Sequence, residues 1–222
     1  MNEDIEELFL KKCQLQEKWL KIGDKRFVFF LPEDISPFIN KEDPLQDFPL
    51  WARIWEGAIV LADYIYRYAP DTPSLFLEIG AGIGVVGITV ASLGHKVVIT
   101  DYNEDALRFA YVNALKNLGN RIKNVEIKKC DWRNPDLGQR FDFIIGSDVV
   151  YREDDYEHLM NLFKEYLKED GEVILSEGIR KSSLKFLDIL SKEYELEVRK
   201  KVIHTFSQQT PVLLIKAKKT KD

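Results

Sequence analysis

From Pro73 onward, hydrophobic residues fall into two alternating patterns: short unbroken apolar runs, and longer segments in which apolar positions recur every three or four residues. The runs at 75–78, 97–100, 125–129, 141–146 and 171–176 predict strands, and the amphipathic stretches at 84–93, 104–118, 154–169 and 181–192 predict helices. Strands alternating with helices build a parallel sheet covered on both faces, because each parallel connection needs a crossover. Local signals agree: Asn103 can cap a helix with Glu104 and Asp105 in its first turn, Gly119 can end it, and Asp170-Gly171 turns the chain into a strand. The tail departs from this rhythm. Strand-like Glu195 to Ile203 and Pro211 to Ala217 are joined by a polar loop, Thr205 to Thr210, too short for a crossover helix, so they should pair antiparallel at one edge.

Ahead of this core, Asn2 to Gln16 has a helical pattern, and Lys18 to Ile22 and Arg26 to Leu31 flank Gly23-Asp24-Lys25 as a hairpin. The four prolines of Pro32 to Pro49 indicate a surface loop. Trp51, Ile54 and Trp55 lead into a helix in which Val60, Leu61, Tyr64, Ile65 and Tyr68 share one side. The expected fold is therefore α/β: a doubly wound, mostly parallel seven-stranded sheet with an antiparallel last strand, plus an N-terminal helix and β-hairpin. Residues 1–222 read as one domain, with 1–50 an extension and 51–217 the core that carries the site.

Composition narrows the function classes. A 222-residue chain with 45% hydrophobic content can bury a full core, and 31% charged residues with a net charge of −5 lack the basic excess of a general nucleic-acid binder. No apolar run approaches the roughly 20 residues needed to span a bilayer. The acidic Met1 to Glu7 segment is unlike a signal peptide, so a cytoplasmic monomer is expected. Cys13 and Cys130 lack C-x-x-C spacing and read as buried thiols, while His95, His158 and His204 form no ligand cluster, so no metal is expected. The lysine-rich 216–222 end reads as solvated and frayed.

The chemistry concentrates where apolar runs end. Leu75-Phe-Leu-Glu-Ile-Gly-Ala-Gly-Ile-Gly84 is a strand feeding three glycines at alternate positions, which removes the Cβ atoms that keep a ligand from the backbone. Val85 breaks the G-x-G-x-x-G dinucleotide pattern, and Glu78 would repel a phosphate but suit hydroxyls or positive charge. In an open parallel sheet the ligand sits beyond the carboxyl ends of the strands. Glu78, Asp101, Asp131 and Ser147-Asp148 all stand at such ends. Singly, each reads as a helix cap or loop residue; four facing one crevice point to a site. Asp101 suits a ribose diol, and Asp131 an exocyclic adenine amine, with Trp132 either beside that ring or in the core.

Together these residues resemble the class I, seven-stranded S-adenosylmethionine-dependent methyltransferases: Glu78-Ile-Gly-Ala-Gly-Ile-Gly84, Asp101 after the second strand, Cys130-Asp131-Trp132 after the third, and the antiparallel last strand. The resemblance covers about residues 50 to 217. Asp148-Val-Val-Tyr151 resembles the D-x-x-Y motif of the protein lysine methyltransferase branch, and Ile54-Trp55-Glu56-Gly57-Ala58 its tryptophan-containing entry segment. Enzymes acting on adenine or glutamine amides usually carry N-P-P-Y at this point, and this chain lacks both prolines. The resemblance implies S-adenosyl-L-methionine as cofactor. Glu78, Gly80, Ala81, Gly82 and Gly84 would hold its amino acid portion, Asp101 its ribose, and Asp131 with Trp132 its adenine. Tyr102, Ser147 and Trp55 would complete the site, unless Trp55 merely fastens the entry segment to the core. Asp148 and Tyr151 would be catalytic, Asp148 orienting an amine and Tyr151 forming a wall or hydrogen bond; alternatively they cap the following helix. The implied reaction is N-methylation of a protein lysine by in-line displacement. A small-molecule N-methyltransferase and a non-catalytic S-adenosylmethionine-binding module remain alternatives.

Overall fold

The structure, a computed structural model, describes residues 14–40, 42, 48–204 and 209–220. Most of the expected N-terminal helix lies outside these residues, and its last two positions, Leu15 and Gln16, are strand, because they pair with Pro32 and Leu31. The hairpin is longer than expected: β1 (Leu15–Ile22) and β2 (Lys25–Pro32) meet across a Gly23-Asp24 turn and form their own two-stranded sheet.

A helix, α1 (Glu56–Tyr68), precedes β3 (Leu75–Ile79), α2 (Val85–Ser92), β4 (Lys96–Asp101), α3 (Glu104–Leu118) and β5 (Val125–Lys129). Then come β6 (Phe141–Ser147), α4 (Tyr156–Tyr166), β7 (Leu167–Gly178), α5 (Lys181–Leu190), β8 (Tyr194–His204) and β9 (Gln209–Lys219). Seven strands form one sheet in the order β5-β4-β3-β6-β7-β9-β8. β3 to β7 are mutually parallel, and β9 runs antiparallel to both β7 and β8. The last strand thus inserts inside the edge and leaves β8 outermost. Its partner contacts also absorb Gln209 and Thr210, which the sequence pattern assigned to a loop whose residues 205–208 lie outside the described chain. Asp170-Gly171 falls within β7, where the pairing jumps from Phe141–Leu167 to Phe143–Glu172, so this turn signal marks an irregularity inside the strand.

Two apolar layers cover the sheet. One gathers α1, α2, α3 and the hairpin, with Phe29, Leu61, Ile65, Val86 and Phe109 buried together; the other gathers α4 and α5 around Phe141, Leu159, Phe163 and Phe186. All eight residues of α2 are buried, so it is apolar on every side and wedged between neighbours, not amphipathic as its sequence suggested. No helix among the described residues is long and apolar enough to cross a membrane.

The hairpin is fastened to this core by side chains that imitate a strand. Asn117 accepts from Val28 N at 2.9 Å and donates to Val28 O at 2.7 Å. One helical turn away, Asn113 accepts from Phe30 N at 2.7 Å and donates to Phe30 O and Ile83 O, each at 3.2 Å. The outer edge of β2 is thereby satisfied by two amides of α3 instead of by another strand. Asn113→Ala should cost about 2–3 kcal/mol in denaturant unfolding, since it strands backbone groups in a buried setting; a loss below about 0.5 kcal/mol would show that water replaces the amide without penalty.

Candidate active site

The strand order reverses between β3 and β6, so the connections leaving their carboxyl ends diverge and open a cleft of about 190 Å³. The glycine loop after β3 forms one wall. Gly80 and Gly82 have φ of +57° and +53°, a region costly for side chains bearing a Cβ. At Gly80 a Cβ would also come within 2.8 Å of Val149 and 3.4 Å of Trp132. Asp101, at the end of β4, anchors this loop: its Oδ2 accepts from Gly82 N and its Oδ1 from Asn103 N, both at 2.9 Å. Burial pushes the Asp101 carboxyl up, while these amide bonds pull it down.

Of the residues expected from sequence, Trp55, Gly80, Ala81, Gly82, Asp101, Tyr102, Trp132, Ser147, Asp148 and Tyr151 line this one cleft. Glu78, Gly84 and Asp131 do not. Glu78 is 2% exposed beneath the loop, where its Oε2 accepts from Gly87 N at 2.9 Å, and burial pushes its carboxyl up to about 8. A Cβ at Gly87 would collide with that oxygen, so Gly87 lets the carboxylate reach the first turn of α2. Gly84 is the left-handed N-cap of α2 and packs on Ala110. Asp131 is exposed and accepts from Arg133 N at 3.0 Å.

At the opposite wall Asp148 has φ +51°, alone among non-glycine residues of the described chain in being left-handed. Its N–H donates to Ser176 O at 2.8 Å, its Oδ1 accepts from Gly178 N at 3.1 Å, and it forms an ion pair with Arg180. A Cβ at Gly57 would collide with Asp148 Oδ2, so the glycine of the entry segment makes room for this carboxylate. Burial pushes the Asp148 carboxyl up, opposed by the Gly178 amide and the Arg180 charge. Behind it, fully buried Glu177 accepts from Val149 N at 3.0 Å and Val150 N at 3.2 Å, holding the backbone between Asp148 and Tyr151. Its other oxygen, Oε2, has no partner, and burial pushes its carboxyl up to about 8. Tyr151 is 39% exposed at the mouth, its phenol pushed up by desolvation.

Glu177, Arg180 and Arg53 carry no sequence motif that singles them out, and Gly57 and Trp51, legible as parts of the entry segment, carry no site role in the sequence pattern. For Glu177 a positional signal was present: it ends the apolar run of β7 just as the four chosen acids end theirs. Arg53 lies over the Trp55 ring at 4.4 Å and pairs with Glu56 at 3.3 Å. Trp51 packs on Phe38 and Phe109 and keeps its indole N–H buried without a partner.

The cleft combines a backbone that a ligand can approach closely, the carboxylates of Asp101 and Asp148, and apolar surface from Ile83, Val149 and Trp132, while its two cations, Arg53 and Arg180, are each paired with an acid, Glu56 and Asp148. That donor set fits a nucleoside bearing vicinal hydroxyls and a positive charge better than one bearing phosphates.

A family model described as lysine methyltransferase matches residues 41–193. A protein N-lysine methyltransferase METTL21A of Danio rerio is 34% identical over 152 residues, 66% of this chain and 69% of that protein. The METTL21A protein of Xenopus tropicalis is 30% identical over 132 residues, covering 58% of this chain and 61% of the relative, so part of each relative has no counterpart in the match. Among solved structures, the glycopeptide N-methyltransferase MtfA, in a complex with S-adenosyl-L-methionine, superposes with a TM-score of 0.54 at 14% identity, covering 74% of this chain and 94% of that one. This last likeness is one of fold.

Glu177 generates a pH prediction. A carboxyl raised in the folded state from its ordinary 4.5 to about 8 stabilises the fold fully below the lower value and loses that contribution as pH rises through the higher one. Glu177→Gln, which keeps an acceptor for Val149 and Val150, should match the parent near pH 5 and exceed it by about 4 kcal/mol near pH 9. Thermal unfolding across that range checks it; parallel curves would mean that Glu177 stays ionised in the fold.

Proposed function

The chain belongs to the lysine methyltransferase family and is an S-adenosylmethionine-dependent methyltransferase; from that premise we propose that it methylates the side-chain amine of a lysine presented by a protein. The observation that carries the reading is that the glycine loop with Asp101 and the D-x-x-Y segment with Asp148 line a single cleft. In this reading Gly80, Ala81 and Gly82 hold the amino acid portion of the cofactor through the backbone, with Glu78 and Gly84 supporting them from behind. Asp101 takes the ribose hydroxyls, and Trp132 with Ile83 flanks the adenine. Asp131, being exposed, acts at most at the rim.

When bound, S-adenosylmethionine would supply an electrophilic methyl group on a sulfonium, which the amine would take in exchange for the C–S bond, leaving that bond's electron pair on sulfur. The protein's own residues position the amine and govern its proton. Asp148 accepts a hydrogen bond from the amine, and Tyr151 and Trp55 flank its alkyl chain. Alignment of this kind supplies several kcal/mol toward the barrier. Against it stands protonation: a lysine with a pKa near 10.4 is neutral in about one molecule in 2,500 at pH 7, a cost of about 4.6 kcal/mol. Desolvation in the cleft favours the neutral amine, whose proton leaves to water.

Labelled methyl transfer from S-adenosylmethionine into a host-cell extract, split into protein and small-molecule fractions, tests the reading. Label on lysine in the protein fraction is expected; label confined to small molecules, or on a histidine ring, overturns it. Asp101→Ala should weaken cofactor binding by about tenfold or more in calorimetry. Asp148→Ala should abolish transfer while cofactor affinity stays within about twofold; loss of both together would move Asp148 into the cofactor site.

A further inference from the structure

Asp148 does not face the cleft by itself. Arg180, which follows the end of β7 and also lines the cleft, is ion-paired with it and makes no other ion pair among the described residues. The backbone favours this contact, since a Cβ at Gly178 would lie 2.9 Å from Arg180 Nε, and Gly178 N bonds the same Asp148 oxygen that Arg180 takes. The other charged and titratable groups around Asp148 are mostly acidic. From α1 comes Glu56, partly offset by Arg53 at 3.3 Å, and from β7 buried Glu177. Tyr151 stands on the loop, with Asp101 toward it across the cleft and Asp155, paired to Arg133 at 3.1 Å, and Arg152 behind it. Arg180 is therefore the cation in direct contact with the carboxylate that would receive the amine.

We propose that Arg180 is a positioning residue for the acceptor amine: paired with Asp148 as a neutral unit, it lets the carboxylate orient the amine without holding the amine's proton. This inference rests on the reading of Asp148 given above. An unpaired carboxylate in a poorly solvated cleft raises the pKa of a neighbouring ammonium, adding to a barrier that is already large. A guanidinium stays charged at every pH of interest. One of its Nη atoms and Gly178 N share Oδ1, while Oδ2 lies against Gly57, whose backbone N–H also bonds the carboxylate, and keeps one lone pair for the amine. Orientation and deprotonation, which conflict for a lone carboxylate, become compatible for the pair.

The test uses the whole protein and its Arg180→Met and Arg180→Lys variants. Initial rates of label transfer into the host protein extract are followed from pH 6.5 to 10, with S-adenosylmethionine affinity from calorimetry and Asp148 titration from carboxyl-carbon NMR. Arg180→Met should bind the cofactor like the parent, show Asp148 titrating higher, and have an acid limb moved up by about one pH unit, hence about tenfold slower transfer below it and convergence at high pH. Arg180→Lys should restore the limb. An equal loss at every pH, or an unmoved Asp148 titration, would reduce Arg180 to a structural role and overturn the proposal. Faster transfer by Arg180→Met at low pH would instead mean that the guanidinium obstructs the amine, and would also overturn it. Should Arg180→Met fail to fold, Arg180→Gln carries the same expectations. Absence of protein label with the parent chain would defeat the lysine reading itself, and this inference with it.

Discussion

The geometry of this protein depends on one reversal of strand order. The chain runs β3 to β4 to β5 outward in one direction, then returns to place β6 against the other side of β3, with Ile79 opposite Gly146. Parallel neighbours whose connections depart in opposite directions leave a gap above their carboxyl ends that no side chain of the sheet fills. The register sets Gly80 level with Ser147, so the glycine loop and the Asp148 loop face each other across the gap. Both walls of the cleft follow from that pairing.

Within this frame, acidic side chains do the local construction. Asp101 ties the glycine loop to the start of α3, Glu78 secures the first turn of α2, and Glu177 holds consecutive amides of the Asp148 loop. Buried charge is costly, and backbone N–H donors offset only part of that cost, which is why Glu78 and Glu177 are pushed to about 8. What the arrangement gains is a fixed partner for backbone amides of the loops that line the cleft. A methyl transfer that relies on alignment needs such loops more than it needs a strong base. The glycines belong to the same construction: Gly57 and Gly87 are the spaces into which Asp148 and Glu78 fit.

The N-terminal hairpin extends this logic outward. It adds no strand to the main sheet, yet Asn113 and Asn117 bond it as if α3 were a strand edge, and Lys25 Nζ donates to Ser92 O at 2.7 Å at the end of α2. The hairpin thus braces the two helices that follow the glycine loop and Asp101. Asn113 joins the two, since it bonds Phe30 of the hairpin and Ile83 of the glycine loop.

By itself the sequence determined the sheet. Period-two and period-3.6 patterns are local properties, and they marked the five parallel strands and their helices to within a few residues, besides the antiparallel tail. Strand ends were legible for the same reason: Asp101, Ser147 and Asp148 each stop an apolar run and each line the cleft. Tertiary structure alone decided which of those end residues turn inward. Glu78 stops its run like the others but sits beneath the loop, because α2 is apolar on every side and its amides point down at the strand. The ion pair of Asp148 with Arg180 joins positions 32 apart, and the collision that requires Gly57 joins Asp148 to a different element altogether. Such contacts depend on how the elements pack in space, and a one-dimensional pattern of apolar and polar residues records the faces of those elements but not which faces meet.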